Sequence, residues 1–168
     1  RMLKKAAKDS ASREQLGYAW SDENGRQLTC DGYRAFRLVN PLPLPVMPEN
    51  VKPFDIAKLI NEAGAGEKQP LELPSITELK SYIKIHKAEH GLKAGAAAWN
   101  FGEYLPKVNA EYLLDLLTVI PGAQLYVSTE APLIKPLYAQ GDAGDALLLP
   151  LMDAEKKAEH KRQRIQRA

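Results

Sequence analysis

Two histidines one helical turn apart are the first candidates for chemistry in this sequence. His86, Glu89 and His90 match the H-x-x-E-H pattern of zinc hydrolases, in which both imidazoles bind the metal and the glutamate acts as a base. A catalytic zinc needs a third protein ligand, and only Glu155 and Glu159 in the C-terminal tail offer one. An exposed helix end, where the helix dipole favours histidine, is the preferred interpretation. We therefore predict no metal, no cofactor and no catalytic residue.

Other patterns that carry chemistry are absent or incomplete. Neither glycine-rich nucleotide-binding motif, G-x-x-x-x-G-K-[ST] or G-x-G-x-x-G, occurs in the chain. The sequence around Cys30 supplies no base that would activate a nucleophilic thiol, so a small half-buried strand residue is expected there. Residues 141–145 are acidic but lack the ligand spacing of a calcium loop, and we predict a hairpin loop. These observations favour a binding protein over an enzyme.

Three helices are predicted from hydrophobic spacing and from end signals. The central helix begins at Asn109, a good N-cap, and the pair Pro121 and Gly122 stops it. Ser75 and Glu78 form a capping box at the start of another helix. The predicted helices cover residues 54–63, 75–90 and 108–117.

Strands are predicted on both sides of these helices, which indicates an α+β fold with helices packed on an antiparallel sheet. The pair Asn24 and Gly25 is a strong hairpin signal. Residues 40–48 contain four prolines and are expected to form an extended connection across the surface, although such a segment can also be a ligand for aromatic grooves. For residues 96–101 the sequence is compatible with either a strand or a loop. The predicted strands cover residues 15–20, 26–30, 33–39, 124–128, 133–138 and 146–151.

Composition places the chain among ordinary globular proteins. Its 168 residues are 45% hydrophobic and 26% charged, which predicts one domain with a substantial core. The net charge of +2 says little about partners, because 23 basic residues nearly balance 21 acidic ones. Cys30 is the only cysteine, and neither a signal peptide nor a membrane span is apparent, so a cytoplasmic protein is expected. Arg1 as the first residue suggests that natural N-terminal residues precede it.

Two separated stretches carry a family resemblance. Residues 28–35, LTCDGYRA, are similar to the pattern L-x-A-T-D-G-H-R-L, and residues 108–117, VNAEYLLDLL, to F-N-x-x-Y-L-L-D-A-L. The second stretch continues through residues 131–134, like S-P-L-x-I, to residues 147–151, like V-V-M-P-M. These patterns belong to the bacterial sliding clamp, the beta subunit of DNA polymerase III. Over roughly half of its length the chain resembles a reduced, single-domain relative of that clamp, from a mobile element or phage.

The resemblance implies a fold and a domain arrangement. Residues 1–151 would form one DNA-clamp-like domain with a helical insertion at about residues 41–106. Independently of the resemblance, the charged residues that follow predict a helical tail at 152–168.

The resemblance also implies a pocket that captures short peptides of replication proteins, because both motifs flank such a pocket in the family. An apolar cleft with one arginine suits a peptide anchored by leucine or an aromatic residue. The pocket residues carried over to this sequence are Cys30, Gly32, Tyr33, Arg34, Leu149, Pro150 and Leu151.

DNA is the second partner that the resemblance implies. The predicted helix that starts at Asn109 carries acidic residues and no lysine, so other cations would have to contact the phosphates. A solvated tail is the alternative for the C-terminal cations. The candidate DNA-binding residues are Lys80, Lys84, Lys87, Lys161, Arg162 and Arg164.

Two functions are therefore expected from the sequence. The first is a non-enzymatic clamp-like processivity factor that binds DNA, a replication partner's peptide, or both. To encircle DNA, such a chain would have to form a homo-oligomer. The second is a small protein-interaction module that keeps the clamp fold without encircling DNA. A zinc hydrolase at His86, Glu89 and His90 ranks third.

Overall fold

The computed structural model describes residues 14–93 and 95–152. Over these residues the chain forms a short 3₁₀ helix, three α-helices and nine β-strands. The 3₁₀ helix spans Glu14–Gly17, and the α-helices are α1 (Ile56–Ala65), α2 (Ile76–His90) and α3 (Ala110–Val119). The strands are β1 (Ala19–Ser21), β2 (Gln27–Cys30), β3 (Arg34–Leu38), β4 (Lys68–Pro70), β5 (Ala98–Asn100), β6 (Lys107–Asn109), β7 (Gln124–Ser128), β8 (Leu137–Gly141) and β9 (Gly144–Leu148).

Local capping signals explain where the helices begin. The side chain of Asn109 accepts hydrogen bonds from the backbone N–H groups of Glu111 and Tyr112, at 3.0 and 3.3 Å. Ser75 and Glu78 form the reciprocal capping box that the sequence predicts at the start of α2. Each cap satisfies N–H groups that the first helical turn leaves unpaired.

Seven strands form one antiparallel sheet in the order β1-β2-β3-β9-β8-β7-β4, and β5 pairs with β6 in a separate hairpin. The central pairing joins β3 to β9, so that Arg37 lies opposite Asp145, 108 positions away in the sequence. The predicted α+β fold with helices packed on an antiparallel sheet is confirmed.

Both edges of the large sheet are short, with three residues in β1 and three in β4. The backbone N–H of Ala19 in β1 donates to Pro45, and its backbone oxygen accepts from Met47. The proline-rich segment therefore covers this edge. The opposite edge ends at Pro70, which has no N–H to offer a further strand. Neither edge is a long template for pairing with another chain.

Each face of the sheet carries its own core, because side chains alternate along every strand. On one face α2 and α3 pack through Leu79, Leu113 and Leu116, which form one cluster with strand residues such as Leu137 and Leu148. On the other face α1 packs through Ile56 and Ile60, in a cluster with Ala35, Tyr138 and Leu147. Helix α1, one of the two helices in the expected insertion, is thus part of the fold, and it covers a face that would otherwise be exposed.

Several elements differ from the predictions. The strand expected over residues 15–20 is a 3₁₀ helix followed by β1, and the turn places Leu16 in the α1-side core. The strand expected over residues 133–138 starts only at Leu137, because Pro136 cannot donate to the strand ladder. Strands β4 and β6 were not predicted, since three residues are too few for an alternating pattern. The helix expected over residues 152–168 lies outside the described residues from position 153 onward.

Among residues 14–93 and 95–152, no helix combines the length and the apolar character needed to cross a bilayer.

The turn between β8 and β9 requires glycine, which gives a test of the central strand pairing. Gly144 has a φ of +146°, and a Cβ there would lie 2.0 Å from the backbone oxygen of Arg37. We expect Gly144→Ala to lower the free energy of unfolding by about 3 kcal/mol, through backbone strain and displacement of β3. Gly122→Ala is the control, because Gly122 has a φ of +72° with no atom within 4 Å of the added Cβ.

The control should lower the free energy of unfolding by only about 1–2 kcal/mol, the cost of left-handed backbone alone. Urea unfolding of both variants measures the difference. Equal losses would contradict the close β3–β9 approach at Gly144.

Candidate functional site

The two stretches that carry the resemblance meet at a buried arginine. Nε of Arg34 donates to Asp31 at 2.9 Å, and Nη1 donates to Asp115 of α3 at 2.8 Å. Its guanidinium lies 4.1 Å from the ring centroid of Tyr112. Two charge-assisted hydrogen bonds and one cation–π contact together hold the planar guanidinium group in one orientation. Arg34 therefore joins the turn before β3 to the helix on that side of the sheet.

The C-terminal strand completes this arrangement. The backbone N–H of Leu149 donates to the backbone oxygen of Tyr33 at 2.9 Å, which extends the β3–β9 pairing by one step. Tyr33 is 61% exposed, and its ring centroid lies 6.1 Å from that of Tyr112. Tyr33 and Leu149 thus lie side by side at one end of the sheet.

A cleft of about 560 Å³ opens at this end of the sheet. Five of the seven predicted pocket residues line it, because the neighbouring strands β2, β3 and β9 bring them to the same end of the sheet. These are Cys30, Gly32, Tyr33, Arg34 and Leu149. The structure therefore brings most of the sequence-derived pocket together within a single chain.

The remaining two pocket candidates lie outside this cleft. The backbone N–H of Leu151 donates to Lys107, which pairs this part of the chain with β6 instead. Leu151 consequently lines a separate cavity of about 300 Å³ near Tyr104. Pro150 precedes this change of partner and does not line the cleft.

The opposite wall of the cleft was not predicted. It is formed by α1 and the residues before it, including Phe54, Ile56 and Leu59. Their apolar spacing predicted a helix, but only the packing of α1 on the sheet places them beside Tyr33 and Leu149. Leu59 is 50% exposed, so the wall has an apolar rim that reaches the solvent.

The candidate DNA-binding lysines lie on α2, on the other side of the sheet. Lys80 and Lys84 are exposed and form no ion pair among the described residues, whereas Lys87 pairs with Glu111 of α3 at 2.6 Å. One of the three is therefore partly neutralised. The other candidates, Lys161, Arg162 and Arg164, lie outside the described residues.

The histidine pair lies at the C-terminal end of α2. The rings of His86 and His90 stack with centroids 4.5 Å apart, and Nδ1 of His90 lies 3.1 Å from the backbone oxygen of His86. Over residues 14–93 and 95–152, no group of three His, Cys, Asp or Glu side chains could hold a metal ion. Glu155 and Glu159 lie outside these ranges.

A buried polar network supports the α1 side of the sheet. Arg37 donates to both oxygens of Asp145, at 2.8 and 2.6 Å, and to Asn61 of α1 at 2.7 Å. The hydroxyl of Tyr138 donates to Asp145 at 3.1 Å. The hydrogen bond to Asp145 raises the pKa of Arg37, while burial and the Asp145 charge raise the pKa of Tyr138 to about 12. This network holds α1, and hence the wall of the cleft, against the strands.

Comparison with known proteins adds no further constraint on the site. No protein-family model, no curated protein and no solved structure matches the chain. The guides to function are the geometry of the cleft and the two sequence motifs that meet beside it.

The raised pKa of Tyr138 predicts a loss of stability at alkaline pH. The folded protein holds the phenolic proton more tightly than the unfolded chain, whose tyrosine titrates near 10.0. The stabilisation of the folded state by protonated Tyr138 is complete below about pH 10 and is lost as the pH rises towards about 12. Tyr138→Phe should therefore show a smaller fall in unfolding free energy between about pH 9 and about pH 11 than the wild type.

Urea unfolding across this pH range measures the slope. Tyr104→Phe is the matched control, because Tyr104 is 81% exposed and should leave the wild-type slope unchanged. An identical slope in Tyr138→Phe and the wild type would contradict the assignment to Tyr138.

Proposed function

We propose that this chain is a non-enzymatic, clamp-like protein-interaction module that binds a short peptide of a partner protein in the cleft between α1 and the end of the sheet. The observation that carries the proposal is the meeting of five predicted pocket residues in one cleft. A replication protein is the partner class that the sequence motifs suggest. The single cysteine, Cys30, supports a cytoplasmic location.

The surface of the cleft supports peptide binding. Tyr33, Leu59 and Leu149 are 61%, 50% and 40% exposed, and all three line the same opening. Large apolar side chains that gather around a concave surface are typical of interaction sites. Cys30, Leu147 and Ile56 continue this apolar surface into the cleft. A leucine or aromatic side chain of the partner is the anchor that this surface favours.

The sheet edges favour an interaction module over a ring. A ring built by joining sheets edge to edge needs accessible edge strands, but the proline-rich segment covers β1 and Pro70 ends β4. The acidic residues Glu111 and Asp115 on α3 add no attraction for phosphates. Peptide binding is therefore proposed as the main function.

DNA binding is a second candidate function, and one observation favours it. Lys80 and Lys84 lie one turn apart on α2, are exposed, and form no ion pair among the described residues. Side chains at this spacing lie on the same face of a helix and can contact neighbouring phosphates.

Substitutions of two leucines that follow β9 test the peptide site. A random seven-residue peptide library displayed on phage is selected against the wild type, and binding of the selected peptide is measured by fluorescence anisotropy. Leu149→Glu should weaken binding at least about 30-fold, because it places a charge in an apolar anchor site. Leu151→Glu is the matched control, since Leu151 is 37% exposed but lines a different cavity.

The control should change affinity less than about 2-fold, the effect of a charge outside the contact surface. Failure to select any peptide, or equal loss in both variants, would overturn the proposed site.

DNA binding is tested by light scattering of the protein with circular and linear duplexes at low and moderate salt. A DNA-binding protein should lose affinity steeply as salt rises, and Lys84→Glu should weaken binding and lower the salt dependence. Lys52→Glu is the control, because Lys52 is exposed and lies outside α2. A complex that remains on circular DNA but leaves linear DNA would establish encirclement. A monomer indifferent to both duplexes would rule out the DNA function.

A further inference from the structure

The histidine pair on α2 has a ring geometry that the proposed peptide binding does not use. His86 and His90 lie one helical turn apart, with ring centroids separated by 4.5 Å and ring planes inclined by 23°. Side chains four positions apart project from the same face of a helix. A metal–imidazole bond is about 2.0–2.1 Å long, so one ion can join two ring nitrogens up to about 4 Å apart. Small side-chain rotations would therefore let both rings bind the same ion.

The backbone determines which nitrogen of His90 is free to bind. Nδ1 of His90 lies 3.1 Å from the backbone oxygen of His86, and a carbonyl oxygen only accepts hydrogen bonds. Nδ1 therefore carries the proton, and the neutral ring keeps its lone pair on Nε2. Metal-binding histidines use a hydrogen bond of this kind to fix the tautomer and the orientation of the ring.

The position of the pair on the helix is open to solvent and favours a cation. His86 is half-buried and His90 is exposed. His90 is the last residue of α2, where the unpaired carbonyl groups of a helix end attract positive charge. The nearby ammonium group of Lys87 is paired with Glu111 at 2.6 Å. An ion from solution can therefore reach the rings, and the helix end would stabilise its charge.

The two imidazoles indicate the class of ion. Imidazole nitrogen suits zinc, copper and nickel ions, whereas magnesium and calcium prefer oxygen ligands. Within the described ranges no group of three His, Cys, Asp or Glu side chains could hold a metal, so water would complete the coordination of an ion on this pair. Such an ion has fewer protein ligands than a catalytic zinc and keeps positions open for exchange.

We propose that His86 and His90 form a two-histidine surface site for a divalent late-transition-metal ion, with Nε2 of His90 and one ring nitrogen of His86 as the protein ligands. Cu²⁺ should bind most tightly, because it leads the general order of affinity of divalent ions for nitrogen ligands. The site lies on α2, whereas the wall of the peptide cleft is α1 on the other face of the sheet. It therefore adds a ligand to the protein and does not depend on peptide binding.

Calorimetric titration of the untagged full chain with nickel chloride tests the site. The wild type should bind one Ni²⁺ ion on the pair. His86→Asn and His90→Asn should each weaken this binding at least about 10-fold, because a single imidazole then replaces two linked ligands. His160→Asn is the matched control, since His160 is the remaining histidine of the chain and should leave the affinity unchanged.

A double variant separates the spacing of the histidines from their number. Ala88→His combined with His90→Asn keeps three histidines but places two of them two positions apart, about 200° around the helix. It should bind Ni²⁺ as weakly as His90→Asn alone. With one equivalent of Cu²⁺, the electron paramagnetic resonance spectrum should show two imidazole nitrogens in the wild type and one in His90→Asn.

Three results would overturn the site. The first is a wild type that binds Ni²⁺ no more tightly than His90→Asn. The second is wild-type affinity in the double variant, which would show that the spacing of the rings is irrelevant. The third is a loss of affinity in His160→Asn as large as that in His86→Asn.

Discussion

The bidentate ion pair between Arg37 and Asp145 is the interaction on which the rest of the structure depends. It joins the two central strands of the sheet directly across their pairing, and Asn61 and Tyr138 bind the same pair from α1 and β8. Removing the carboxylate would leave the arginine buried without its partner and would lower the free energy of unfolding by about 3–5 kcal/mol. A shift of one residue in the register would separate the pair and exchange the two faces of the strands. The network therefore fixes both the register and the position of α1.

The two faces of the sheet serve different purposes because of this register. On the face of α2 and α3, Arg34 links the turn before β3 to Asp115 and Tyr112. On the other face, α1 covers one apolar core and also forms a wall of the cleft. The same helix thus stabilises the fold and shapes the surface proposed for binding. Changes in the core beneath α1 would also change the shape of the cleft.

Local signals explain how much of the fold the sequence predicts. The Ser75 capping box, the Asn109 cap and the Asn24-Gly25 turn act within a few residues, and the structure contains all three elements that they predict. The short strands β4 and β6 carry no such signal, because three residues form a strand only when a partner strand is already in place. The seven-stranded order likewise depends on pairings that no local pattern contains.

The sequence by itself determined the α+β class and the three helices, and it supplied candidate residues for a pocket. Only the tertiary structure decided which residues share the cleft, because Tyr33 and Leu149 become neighbours through strand pairing across more than half of the chain. It also assigned Leu151 to another cavity, since its backbone pairs with Lys107. The wall formed by α1 had no signal beyond helical spacing. A helix pattern fixes which side chains share a face, whereas the surface that this face covers is set by long-range packing.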